Sequence, residues 1–127
     1  MTSYESEHHD PPAPVAWIRV VNPASDTAVD RVPMLIDSGA DVTLIPKTIV
    51  TTLGLELVPD KSYLLEGFEG TRISAAAARA TLKLDKYTFK GQWLFDDREI
   101  GVLGRNVLNM VLFELDGPNL VWRIRSS

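Results

Sequence analysis

The chain has 127 residues, 45% of them hydrophobic and 24% charged, a mixture that suits one globular domain with a single core. A formal charge of -4 and a pI near 5.1 give no basic footprint, which argues against nucleic acid and anionic membrane surfaces as partners. With no cysteine there is neither a disulfide framework nor a thiolate zinc site, and no apolar run approaches the roughly 20 residues of a membrane span.

Residues 1–14, MTSYESEHHDPPAP, are polar, acidic and proline-bearing, so they read as a disordered tail ahead of a domain over 15–127. They also lack the basic and apolar regions of a signal peptide, and the expectation is a soluble, cytoplasmic chain. His8 and His9 sit in this stretch. Adjacent histidines in an acidic tail are more often solvated than ligating, so no metal site is expected.

From Val15 onward, apolar groups of strand length alternate with turn formers: VAWIRVV, RVPMLID, LELV, SYLLEG, TRISAAA, ATLKLD, YTFKGQWLF and NLVWRIR. The pattern predicts a mostly β domain. In Ala80 to Asp85 the leucines should face the core, with Thr81, Lys83 and Asp85 facing water. Two segments read as short helices: Pro46 to Leu53, opened by proline and stopped by Gly54, and Arg105 to Leu112 after Gly104. Each follows an apolar strand and a glycine-bearing loop, a shared plan that suggests two related halves around one core. Between them, Gly67-Phe68-Glu69-Gly70 joins two apolar arms, and its glycines permit a tight hairpin that could project as a flap.

Leu35-Ile36-Asp37-Ser38-Gly39-Ala40-Asp41 brings a carboxylate to the end of a hydrophobic run. Gly39 lets the backbone turn sharply, and Ser38 can hold the loop through local side-chain to backbone bonds. Two readings fit the tripeptide alone: an Asx-type turn that ends a strand, or a reactive carboxylate on a rigid scaffold.

LIDSGADVTLIP resembles the active-site stretch of retroviral-type (retropepsin-like) aspartic proteases, and VLGRNVLNMV is similar to the glycine-arginine and helix segment near the end of their monomers. The resemblance implies a retropepsin-like barrel with short helices and one half-site per chain, because Asp-Ser-Gly occurs once. It implies Asp37, Ser38 and Gly39 as the catalytic loop of a homodimer that hydrolyses peptide or protein substrates without cofactor or metal. Gly39, Ala40, Asp41, the flap residues Gly67, Phe68, Glu69 and Gly70, and Ile100 and Val102 would meet substrate. Gly104 and Arg105 would support the loop, with Arg105 paired to Asp41. Ile100 and Val102 could equally be core, as strand residues usually are. The same fold could also serve as a non-catalytic dimerisation or peptide-binding module. Trp17, Trp93 and Trp122 read as packing residues, and NLVWRIR or VAWIRVV is expected to pair across the dimer interface.

Overall fold

The apolar runs become strands throughout the computed structural model, which describes residues 1–66 and 72–125. In chain order the elements are β1 (Thr2–Ser3), β2 (Val15–Val21), β3 (Ala28–Ile36), β4 (Leu44–Pro46), α1 (Lys47–Leu53), β5 (Leu57–Glu66), β6 (Arg72–Leu84), β7 (Tyr87–Asp96), β8 (Gly101–Leu103), α2 (Arg105–Leu108), β9 (Leu112–Asp116) and β10 (Val121–Arg125).

Hydrogen bonding runs β2-β3-β8-β4-β7-β6 and returns from β6 to β2, so six strands close into a barrel, with β5 attached to β6. Closure leaves these six without a continuous open edge and gives the alternating apolar residues one interior. Ile18, Met34, Ile45, Leu82 and Leu103 are fully buried there. Trp93 and Trp122 are buried too, and each indole N–H finds a carbonyl, Ala80 at 2.9 Å and Val15 at 3.1 Å. Trp17 instead lies at the surface, where the Arg31 guanidinium stacks 4.7 Å from its ring centre.

Three expectations change. Thr81 is buried, not wet, because β6 is paired on both sides at that point, to Val21 and to Lys90. The second helix stops at Leu108; Leu112 opens β9, which pairs with β10 as a hairpin. Of the strands expected at an intermolecular interface, β2 pairs with β3 and, over Arg19 to Val21, with β6, while β10 pairs with β9 along its length and with β1 at Val121 and Trp122.

The third change concerns residues 1–14, which dock on the domain. Thr2 and Ser3 pair with Trp122 and Val121, the Tyr4 amide donates to Leu120 at 2.8 Å, and Glu5 and Ala13 exchange backbone bonds at 2.7 and 3.0 Å. Apolar side chains are scarce there, but β10 has an edge whose backbone groups need partners, and main-chain pairing is invisible to composition. The turn is tied by Glu5, whose carboxylate accepts the His8 backbone N–H at 2.8 Å and meets the imidazoles of both His8 and His9.

The first helix fits its reading with a shift of one residue, Pro46 capping rather than opening it. Gly54 ends it at φ 58°, a left-handed conformation that costs glycine little. Buried Asn22 donates to the last helical carbonyl, Leu53, at 2.9 Å.

Candidate active site

β3 and β8 run parallel, with Met34 beside Gly101, Leu35 beside Val102 and Ile36 beside Leu103. The next residue on each strand is therefore Asp37 on one and Gly104 on the other. The two glycine-bearing loops singled out in the sequence are neighbours at one end of the barrel. Only the first carries an acid.

The Asp37 amide donates to the Leu103 carbonyl at 3.1 Å, and the Asp37 carbonyl accepts Ala40 N–H at 3.2 Å. The Asp37 Oδ1 accepts the Gly39 amide at 2.9 Å, so one carboxylate oxygen is pinned by its own loop. A Cβ on Gly39 would stand 3.1 Å from that oxygen. Asp37 is half-buried, while Ser38 and Gly39 are exposed. The carboxylate thus leaves a hydrophobic strand, is oriented by a short turn and faces outward. Both readings of the tripeptide meet here: it is an Asx-type turn, and the turn presents an acid.

Arg105 holds the loop from the other half. Its amide donates to Ala40 at 2.8 Å and its guanidinium to the Ser38 carbonyl at 2.7 Å. The resemblance implied a buried Asp41–Arg105 ion pair instead. Both side chains are exposed, and Arg105 spends its guanidinium on backbone, where a planar donor fork fits a carbonyl in a fixed turn.

Beneath the loops lies a residue that sequence reasoning missed. Thr43 is almost fully buried; its hydroxyl donates to Asn106 Oδ1 at 2.7 Å and accepts the Gly104 amide at 3.0 Å. One hydroxyl therefore joins the two halves. The backbones meet so closely that a Cβ on Gly104 would fall inside the Val42 main chain, and one on Gly101 would lie 2.6 Å from the Leu44 carbonyl. No signal in ADVTLIP distinguishes Thr43 from an ordinary strand residue.

Val102 is buried with Leu44, Val58, Ala77 and Leu94, and Ala40 and Val42 pack against this group. Its place is packing under the acid loop. Ile100 is half-buried just before β8. The flap reading of Gly67, Phe68, Glu69 and Gly70 lies outside the described residues; the arms on either side pair antiparallel, with Glu66 opposite Arg72.

At the N-terminal turn, donor atoms of Glu5, Glu7 and His8 lie within 4.8 Å of one another. Glu5 is already engaged by both imidazoles, chiefly by His9, and these bonds pull its carboxyl down to about 2 from an ordinary 4.5. The group is an internal tie, remote in sequence from the acid loop. Among the described residues no helix is long and apolar enough to cross a membrane.

Comparison with known proteins bears on this site in two ways. Residues 26–107, which span both loops, match a family model described as aspartyl protease. Among solved structures, an EIAV protease complexed with the inhibitor HBY-793 superposes over 84% of this chain and 91% of its own, with a TM-score of 0.57 and 19% identity. At that identity the likeness establishes a shared fold, here the retropepsin-like barrel. No curated protein matches the sequence.

Proposed function

The chain belongs to the aspartyl protease family and is an aspartic endopeptidase of retropepsin-like fold, and from that premise we propose that its active site forms when two copies bring their Asp37 carboxylates together on one two-fold axis. The observation that carries the reading is the asymmetry of the paired loops. β3 is followed directly by an acid and β8, beside it, by Gly104, so one chain offers one carboxylate where the chemistry needs two. A two-fold axis supplies the second from the same surface of a partner copy.

In this mechanism one Asp37 takes a proton from a water molecule as the water attacks the scissile carbonyl. The other, protonated, donates to the carbonyl oxygen. Two carboxylates this close cannot both ionise cheaply, so they share one proton and titrate as a pair. No covalent intermediate forms. Ser38 and Gly39 are exposed at the loop tip and available to meet the partner's loop, while the bond from Gly39 N–H to Asp37 Oδ1 orients the acid before substrate arrives. Ala40, Asp41, Ile100 and the flap residues remain the candidates for substrate contact.

Peptide-library cleavage across pH 3 to 8 by wild type and Asp37→Asn tests the proposal. Asparagine keeps the shape of the loop and cannot accept the proton, so cleavage should disappear while melting temperature and mass stay as in wild type. Cleavage by a well-folded Asp37→Asn protein would remove Asp37 from the chemistry.

A further inference from the structure

The exterior of the barrel carries a cationic strip that starts beside the acid loop, and what it binds can be inferred if the half-site reading above holds. Residues opposite one another in a sheet share a face, as do residues two apart on one strand. In β6 the even-numbered Ala78, Ala80, Leu82 and Leu84 are buried in the barrel core together with Phe89 and Trp93 of β7. The odd-numbered residues therefore face outward. Along that outer face Arg79 lies opposite Gln92, Thr81 opposite Lys90, and Lys83 opposite Thr88 on one side and Arg19 of β2 on the other.

One end of the strip is apolar and meets the acid loop. Ala77 and Leu94 are opposite each other and buried with Leu44 and Val102, and Ala40, which follows Asp37 in the loop, packs against this group. The far end is cationic. Arg79, Lys83, Lys90 and Arg19 are all exposed, and no acid occupies β6 from Arg79 to Lys83 or the positions opposite it on β7 and β2. Arg19 is paired with Asp30 at 2.7 Å and Arg79 with Glu56 at 3.4 Å. Among the described residues Lys83 and Lys90 have no acid partner.

This arrangement costs the fold something. Arg19 directly opposite Lys83 is a like-charge cross-strand pair, and Lys90 stands on the next diagonal, so the three cations repel unless an anion lies among them. The concentration of positive charge also runs against the chain as a whole, which has 17 acidic and 13 basic residues. A long-range field of that sign repels an acidic ligand, so any attraction must come from the strip itself. From Ala77 to Lys83 the strip measures about 20 Å, the length of roughly six extended residues.

We propose that the strip is an exosite for acidic segments of the substrate: a polypeptide cut at the paired Asp37 carboxylates continues along the outside of β6 and β7 and sets Asp or Glu side chains on Lys83 and Lys90. The two-fold axis gives each copy its own strip, so one serves the segment before the cut bond and the other the segment after it. The substrate class is then a protein whose cleavage site is flanked by acidic stretches.

Kinetics on three peptides test this. They share one core taken from a library cut and carry arms of Glu, Gln or Lys about six residues long, assayed near pH 6, well above the glutamate pKa of about 4.3. Wild type should cleave the Glu-armed peptide with kcat/KM about three- to tenfold above the Gln-armed one, as two exposed ion pairs supply, with the Lys-armed peptide below both. The gain should lie in KM and not in kcat, because contacts remote from the cut bond are made equally in the ground and transition states. It should shrink toward parity in about 1 M salt, where the Debye length is about 3 Å. Lys83→Gln/Lys90→Gln, checked for folding by circular dichroism and melting temperature, should bring the Glu-to-Gln ratio close to one, since Arg19 and Arg79 are already paired within the chain. A ratio near one in wild type, or a raised ratio that the folded double variant keeps, overturns the exosite and leaves the half-site reading standing. A wild type that cleaves none of these peptides and no member of the library overturns both.

Discussion

Thr43 and Asn106 stand 63 residues apart and share a 2.7 Å hydrogen bond, and the same threonine oxygen accepts the Gly104 amide at 3.0 Å. The hydroxyl is the polar joint between the acid loop and its acid-free counterpart. Thr43→Val keeps the shape and deletes the joint, leaving a buried N–H without an acceptor, which costs about 1–3 kcal/mol. Urea unfolding should show that loss, and Thr43→Ser should recover most of it. A Thr43→Val protein as stable as wild type would mean the joint is replaceable by water.

Two glycines should fail in different ways when changed to alanine. At Gly104 the added methyl meets the Val42 backbone, which cannot rotate away, so Gly104→Ala should cost about 3 kcal/mol, the upper end of typical overpacking penalties. At Gly39 the methyl meets only the Asp37 carboxylate, at 3.1 Å. Gly39→Ala should fold with little loss and cleave peptides poorly. Thermal melts and initial rates measured together separate the two cases; equal melting temperatures would refute the contrast.

Arg105 and Asp41 are exposed and separate, which reverses the stability expected of a buried pair. Arg105→Ala removes an exposed charged bond to Ser38 and should cost no more than about 1 kcal/mol. Asp41→Ala should stay within about 0.5 kcal/mol of wild type. Activity should fall more than stability for Arg105→Ala, because the loop that orients Asp37 loses its clamp. A loss of several kcal/mol in both variants would restore the ion pair.

The N-terminal tie should be sensitive to acid. Glu5 is held at about 2 in the folded chain, first by His9 and then by His8, against 4.5 for a free side chain. A carboxyl lowered by folding contributes its stabilisation above the unfolded value and loses it as pH falls through the folded one, so the tie is complete above about 4.5 and released as pH approaches 2. An NMR titration of the Glu5 carboxyl should place its midpoint near the lower value, with the Tyr4 and Ala13 amides following. Glu5→Gln should flatten that response. A Glu5 midpoint near 4.5 would show that the histidines do not hold it.

The sequence carried much of this protein on its own. Alternating apolar residues gave a mostly β chain because side chains of a strand point alternately to two sides, and β2 and β7 lie close to where that periodicity put them. Asp37-Ser38-Gly39 at the end of an apolar run was legible as a presented acid, since strand, turn and carboxylate are local features. The single copy of the motif was legible too, and with it the expectation of half a site. What stayed hidden depends on residues far apart in the chain. The docking of residues 1–14 comes from backbone pairing with β10, which no side-chain pattern announces. Thr81 is buried because two strands flank it, and β9 escaped notice because Arg105 to Leu112 reads as a helix until β10 recruits its end. Arg105 turns to the Ser38 carbonyl because folding brings that acceptor within 2.7 Å, and Thr43 acquires its role only when β3 and β8 lie parallel and bring two loops within one hydroxyl's reach. Local chemistry is encoded in neighbouring letters; the partner of each polar group is chosen by which distant segment the closed barrel sets beside it.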